Sequence, residues 1–146
     1  MRSIIWLAAA LVVLFLGSSV FAQPWRGSGG WGMGGSYQRM YDPATVETVS
    51  GEVTAVEQMA PVKGMRYGIH LMLKTEKETI SVHLGPGWFI ERQDIRIEKG
   101  DKVQVTGSRV TVAGKPAIIA AEVVKGKDRL LLRDKVGIPA WSGWRR

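Results

Sequence analysis

Short alternations of apolar and polar side chains mark most of the chain after residue 44. Turn-forming residues separate these runs, which lie near residues 46–59, 67–74, 78–84, 102–112 and 115–124. A period of two residues is typical of β-strands that bury one face. The pattern predicts five strands, a sixth short strand over residues 129–133, and an all-β domain over residues 44–124.

The order of these elements predicts the type of all-β fold. Gly51 inside the long first strand indicates a bulge or a sharp coil. In the segment GPGWFIERQDI, residues 85–95, the first three residues end the strand, and a short helix or helical turn carrying Trp88 and Ile95 follows. It is the only convincing helix. A long strand, a hairpin, a helical connection and a second hairpin are typical of a five- to six-stranded OB-fold barrel, and a small open sandwich is the alternative. The side chains expected inside are Leu71, Leu73, Ile80, Val82, Val103 and Val105, with Trp88 closing one end.

Three segments carry a family resemblance. VSGEVTAV, SVHLGPGW and KGDKVQVTGSRV resemble the first, third and fourth strands of small exported bacterial OB-fold (BOF-like) proteins. The resemblance covers about residues 46–124. It implies a binding module outside the cytoplasm, and it supplies no catalytic residue.

The predicted hairpin GIHLMLKTEKETISVHL, residues 68–84, holds both histidines of the chain. Because side chains alternate across a strand, His70 and Met72 share the face of His83, opposite the apolar core face. A four-residue turn over residues 75–78 would place His70 directly opposite His83. This pattern predicts an exposed face that is either an ordinary solvated surface or a copper or zinc site formed by His70, His83 and Met72.

The first 22 residues have the layout of a secretory signal peptide. Arg2 precedes an apolar run over residues 4–16, and small residues lead to Ala22. That run is too short to cross a hydrocarbon core of about 30 Å. The chain has no cysteine, which excludes disulfides and thiolate metal sites. We expect a cleaved, periplasmic or secreted protein, and an uncleaved membrane anchor is the alternative.

Residues 23–43 are rich in glycine with scattered aromatic side chains. Such a composition buries little apolar surface, so it predicts a flexible leader. The alternatives are a metal-catching arm that uses Met33 and Met40, and a weaker one, a phosphate-binding glycine loop.

The net charge of +7 lies mainly in the tail, residues 125–146. Residues 44–124 are electrically balanced, whereas the tail carries an excess of five positive charges. The tail predicts contact with an anionic lipid or another envelope polyanion. Docking of its first half on the barrel is expected too, because residues 130–132 are leucines. The candidate contact residues are Arg133, Lys135, Trp141, Trp144, Arg145 and Arg146.

No pattern in the sequence indicates catalysis. Nucleophile motifs are absent, and most carboxylates lie beside lysine or arginine as on any solvated surface. Cations gathered in a tail also do not form a nucleic-acid groove. We therefore expect a non-enzymatic binding module for an unidentified envelope ligand or protein partner, and an envelope-stress role is one option. We expect no cofactor, and bound copper or zinc is the alternative.

Overall fold

The computed structural model describes residues 29–142. Two short 3-10 helices, Gln38–Met40 and Pro43–Thr45, precede the sheet. One helical turn, α1 (Gly87–Ile90), follows the third strand. The six strands are β1 (Val46–Met59), β2 (Gly68–Lys74), β3 (Thr79–Pro86), β4 (Lys102–Val112), β5 (Lys115–Lys125) and β6 (Asp128–Leu131). The predicted signal peptide, residues 1–22, lies outside the described residues, and none of the described helices is long and apolar enough to cross a membrane.

The strands close into a ring. Their order is β3-β2-β1-β4-β5-β6, and all of these neighbours pair in antiparallel fashion. A parallel pairing of β3 with β5 joins the two ends of the five-stranded part, while β6 extends the sheet from β5. Closure of this kind removes the long exposed edges of an open sheet. The small all-β, OB-like fold predicted from the sequence is confirmed, and the open sandwich is not formed.

Gly51 allows β1 to pair with two different strands of the ring. Residues 46–52 of β1 pair with β4, and residues 52–59 pair with β2, with a register shift between Val53 and Ala55. A Cβ atom at Gly51 would collide with the carbonyl oxygen of Lys74. The absence of a side chain therefore allows the close approach that the coiled strand requires.

The interior of the ring is apolar, as predicted. All six expected side chains are buried: Leu71, Leu73, Ile80, Val82, Val103 and Val105. The aromatic side chain buried by α1 is Phe89, whereas Trp88 is only partly buried against the same core cluster. The expectation that Trp88 closes the barrel is therefore wrong, and the next residue, Phe89, is the buried one. Successive side chains of a helical turn point in directions about 100° apart, so one residue of error changes which side chain faces the core.

The β2–β3 hairpin has the predicted turn and register. Thr75 N–H donates to the carbonyl of Glu78, which closes the four-residue turn. His70 pairs with His83, and Met72 pairs with Ser81. Both histidines therefore lie on the face opposite Leu71 and Val82.

Two segments from the ends of the described chain cover this outer face. We call residues 29–43 the leader segment, residues 132–142 the tail segment, and the two together the cover. Trp31 and Tyr37 of the leader segment are each 2% exposed, as is Trp141 of the tail segment. The predicted flexible leader spans residues 23–43, of which residues 23–28 lie outside the described residues. The leader segment, residues 29–43, is packed here, which differs from that prediction. Its aromatic side chains find apolar partners that are distant in sequence, and composition does not reveal such partners.

Candidate functional site

The two histidines form a stacked pair beneath the cover. Their ring centroids lie 3.9 Å apart and their planes differ by 6°. His70 is 3% exposed and His83 is 4% exposed. The prediction that they face each other on the outer side of the hairpin is confirmed, but the prediction that this face is exposed is wrong. The cover buries it.

Tyr37 of the leader segment contacts the pair directly. Its hydroxyl lies 2.9 Å from Nδ1 of His83, and its ring plane is inclined by 18° to the His83 ring, with the centroids 5.9 Å apart. The histidine tautomer decides which of the two atoms donates. Burial raises the pKa of Tyr37, so this side chain is a neutral phenol.

Burial also makes both imidazoles neutral at neutral pH. Desolvation lowers the pKa of His70 to about 4. Desolvation lowers the pKa of His83 to about 3, with smaller contributions from the charges of His70 and Arg133. The pair is therefore uncharged at neutral pH.

Arg133 is the third polar group of the site. It is buried, and its Nη1 donates to Oε1 of Gln38 at 2.7 Å. The guanidinium carbon lies 4.8 Å from the ring centroid of Trp141 and 5.8 Å from that of Tyr41. Among residues 29–142, no carboxylate forms an ion pair with Arg133. Aromatic faces and one amide oxygen thus stabilise a buried cation.

Two polar atoms of this cluster have no hydrogen-bond partner in the described part of the chain. They are Nε2 of His70 and Nε of Arg133. An unsatisfied buried polar atom is destabilising by about 1–3 kcal/mol. A cluster built only for stability would use apolar side chains here, so the arrangement is a candidate functional site.

Glycines on the outer face provide space for the indole rings of the cover. A Cβ at Gly68 of β2 would collide with the ring of Trp31, and a Cβ at Gly85 of β3 would lie within 2.9 Å of two atoms of the Trp141 ring. Trp31 and Trp141 contact each other edge to face, with ring centroids 6.1 Å apart. Glycine at both strand positions therefore makes two aromatic slots, which we call the Gly68 slot and the Gly85 slot.

Hydrogen bonds join the two halves of the cover and fix it to the barrel. Nε1 of Trp141 donates to the carbonyl of Trp31 at 2.9 Å, and Nε1 of Trp31 donates to the carbonyl of Arg66 at 3.0 Å. Nε2 of Gln38 donates to the carbonyl of Gly137 at 2.7 Å. On the barrel side, the main-chain N–H groups of Leu132 and Arg133 both donate to the carbonyl of Ala121.

The stacked geometry does not let the two histidines share a metal ion. A metal lies about 2.1 Å from an imidazole nitrogen and close to the plane of the ring. Because the two ring planes are nearly parallel and do not meet, no single position satisfies both rings. Met72 is half-buried on the same outer face. No group of three or more histidine, aspartate or glutamate side chains suited to a metal occurs in residues 29–142.

The predicted tail residues divide into three sets. Arg133 and Trp141 are buried in the cover, so they do not face a lipid surface in this conformation. Lys135 is exposed. Trp144, Arg145 and Arg146 lie outside the described residues. The predicted docking of the first half of the tail is confirmed, since Leu130 and Leu132 are buried.

Sequence reasoning did not identify Trp31, Tyr37 or Gln38 as part of the site. Their segment has neither a strand period nor a helix period, so no pattern assigned them a face. One signal was present: aromatic residues recur among the glycines at positions 31, 37 and 41. Outer-face glycines in β2 and β3 were the complementary signal.

The comparison with protein families identifies the chain. Residues 45–130 match the MamS/MamX magnetosome protein family, and this protein belongs to that family. The match covers β1 to β5 and most of β6, and it ends before the tail segment. The resemblance to exported OB-fold proteins therefore holds for the fold, while the family is the magnetosome one. Comparison with curated proteins gave no match.

Proposed function

We propose that this member of the MamS/MamX magnetosome protein family is a non-enzymatic, exported binding module for aromatic peptide segments of partner proteins. The ligand face is the outer side of β2 and β3. The observation that carries the proposal is the seating of two indole rings in the Gly68 and Gly85 slots. The cover thereby occupies the face as an intramolecular ligand.

The contacts of the cover define the chemistry that this face recognises. Each slot accepts a flat aromatic ring against a glycine backbone. His83 adds a polar contact, because its Nδ1 lies at hydrogen-bond distance from the hydroxyl of an aromatic side chain. Aromatic side chains contribute large contact areas at small cost in conformational entropy, which suits peptide recognition. The strand 2 and strand 3 surface is also the usual ligand face of OB-folds.

Displacement of the cover is compatible with its position outside the six strands. Segments outside the strands of a core open locally at lower free energy than those strands. Opening would uncover two imidazoles and would return the Arg133 guanidinium to water, which relieves its desolvation. A partner segment that fills the slots would then compete with the cover for the same contacts.

Competition with a synthetic leader peptide tests the proposal. The peptide spans residues 29–43 with a fluorophore at its amino terminus, and fluorescence anisotropy measures its binding to the mature protein, residues 23–146. The Tyr37→Ala protein should bind the peptide about tenfold more tightly than the wild type, because its own leader competes less well.

Two further variants serve as controls in this experiment. Gly34→Ala should behave as the wild type, because a Cβ at Gly34 meets no atom within 4 Å. Adding Gly68→Ala to Tyr37→Ala should weaken peptide binding, because the new Cβ fills the slot for the indole of Trp31. Equal binding to the Tyr37→Ala protein with and without Gly68→Ala would contradict the proposal, as would no binding to either.

Metal binding is the second candidate function, favoured by the adjacency of His70 and His83. Copper or zinc would require the rings to leave their stacked arrangement, and the cation would approach the positive charge of Arg133.

Contact with anionic lipid or a polyanion is the third candidate function. Since Arg133 and Trp141 are buried in the cover, that contact would rest on Lys135, Trp144, Arg145 and Arg146.

A further inference from the structure

The first half of β1 has a free edge. Residues 46–52 pair with β4 on one side, and pairing with β2 on the other side begins only at Glu52. In the described part of the chain, no strand pairs with the second side of residues 46–51. Six residues of extended chain span about 20 Å.

A groove runs along this edge. It has a volume of about 490 Å³ and is lined by four successive residues of β1, from Glu47 to Ser50, and by the β2–β3 turn, residues 75–78. Arg109 of β4 lies in it, where its guanidinium donates to Glu78 at 2.7 and 3.0 Å and to Glu47 at 2.9 Å. A second groove of about 700 Å³ continues from it past Gly51 and Lys102.

The strand geometry identifies the main-chain groups that face the groove. Val53 N–H donates to the carbonyl of Asp101 at 2.8 Å, and Val53 accepts from Gly100 N–H at 2.7 Å, so both of its main-chain groups point toward the β4 side. Main-chain groups alternate sides along a strand, and the β1–β4 register is regular from residue 46 to 52. The N–H and carbonyl groups of Thr48 and Ser50 therefore point toward the groove.

The neighbouring turn does not use these groups. Three of its four N–H groups donate within the turn: Thr75 N–H donates to the carbonyl of Glu78, and the N–H groups of Lys77 and Glu78 donate to Oγ1 of Thr75. The β1 edge thus presents unpaired donors and acceptors opposite a closed turn. Unpaired strand edges of this kind are the sites at which extended peptides add to a sheet.

We propose that the free edge of β1, residues 46–51, is a second binding site, at which an extended segment of a partner protein adds as a β-strand. The chemistry of the groove describes that segment. Main-chain hydrogen bonds to Thr48 and Ser50 give the affinity. Val49 is half-buried, so it favours a small apolar side chain of the partner segment beside it. Arg109 is already paired with two carboxylates, so the groove requires no net charge from the segment.

This site is independent of the aromatic slots on β2 and β3, so the two proposals fail separately. The probe is the peptide Lys-Thr-Val-Thr-Val-Thr-Glu with both ends capped, so that the side-chain charges of its first and last residues cancel. It is titrated into the mature protein, and amide NMR follows the binding. We expect the amides of Thr48 and Ser50 to exchange rapidly with solvent in the free protein and to become protected when the peptide binds. The amides of Val49 and Gly51, bonded to β4, should be protected throughout.

Two matched pairs of reagents make the test specific for strand addition. Ser50→Pro removes one edge donor without removing a β1–β4 hydrogen bond and should weaken peptide binding about tenfold or more, whereas Ser50→Ala should leave it within about twofold. A peptide N-methylated at alternate residues keeps its side chains but loses the donors and should not bind. If Ser50→Pro fails to fold, the N-methylated peptide decides the question.

Three results would overturn the proposal. The first is no protection of Thr48 and Ser50 at any peptide concentration. The second is equal binding of the N-methylated and unmodified peptides. The third is protection of these amides by raising the protein concentration alone, which would assign the edge to a second copy of this chain.

Discussion

His70 of β2 and His83 of β3 lie face to face, with ring centroids 3.9 Å apart, and the hydroxyl of Tyr37 lies 2.9 Å from Nδ1 of His83. Two neutral imidazoles stack without repulsion, but a proton on either ring would place a charge in a buried site that already contains the Arg133 guanidinium. The relationship between these two residues therefore couples the stability of the cover to their protonation.

Acidification should destabilise the protein through this pair. Both folded-state pKa values, about 4 for His70 and about 3 for His83, lie below the unfolded value of about 6.5. The contribution of the two neutral histidines to the free energy of unfolding is thus fully present above about pH 6.5 and is lost as the pH falls toward 3. At pH 5 the loss is about 2 kcal/mol per histidine, measurable by urea unfolding at pH 7.5, 6 and 5. His70→Phe keeps a stacked ring without a titrating group, so it should show a clearly smaller loss. An unchanged pH dependence in that variant would refute the coupling.

Removal of the buried cation should raise the pKa of His83. The charge of Arg133 is one of the factors that lower this pKa, so Arg133→Met should move it upward. NMR titration of the imidazole Cε1–H resonance measures the shift. Arg129→Met is the matched control, because Arg129 pairs with Glu122 and its side chain is 64% exposed. A shift of the same size in both variants would exclude a local effect of Arg133.

Truncation of the tail indole should destabilise the protein and uncover the histidines. Trp141 is buried against Gly85, Trp31 and Phe89, and loss of a buried tryptophan side chain destabilises a protein by about 3–5 kcal/mol. Trp141→Ala should therefore lower the free energy of unfolding and speed modification of both histidines by diethyl pyrocarbonate. Val136→Ala, at a residue that is 64% exposed, should change stability by less than about 0.5 kcal/mol. Histidine reactivity equal to that of the wild type in Trp141→Ala would show that the indole does not shield the pair.

The leader segment should be as ordered as the barrel from Gly29 onward. Tyr37 and Trp31 are buried, and the leader is joined to the barrel by the bond from Asp42 N–H to Oγ of Ser108 at 3.0 Å. Backbone NMR order parameters for residues 31–43 should match those of β1 to β5. Values typical of a flexible chain, below about 0.6, would restore the interpretation of a mobile leader.

Removal of both histidines should not change the affinity of the protein for copper or zinc at neutral pH. The stacked rings are buried and offer no shared coordination position, so the wild type and the His70→Ala, His83→Ala variant should bind both ions equally weakly. Calorimetric titration measures the affinities. Tighter binding by the wild type would establish the metal site and would require the rings to separate.

The sequence by itself determined the local geometry of the hairpin. Side-chain alternation has a period of two residues, so the apolar positions of β2 and β3 fixed which side faces the core, and the turn length fixed the opposition of His70 and His83. The β4 boundaries followed in the same way from the alternation between residues 102 and 112. These features depend on neighbours within one strand or one turn, and a linear pattern records them.

Only the tertiary structure decided what covers the histidines. The bond between Trp141 and Trp31 joins residues 110 positions apart, and the contact between Tyr37 and His83 joins residues 46 positions apart. Neither segment has a period that assigns it a face, and glycine content alone favours a mobile chain. Burial of the pair arises because Gly68 and Gly85 leave room for indole rings that come from opposite ends of the described chain. This fit depends on two segments meeting in the folded protein, so the residue pattern of neither segment alone reveals it.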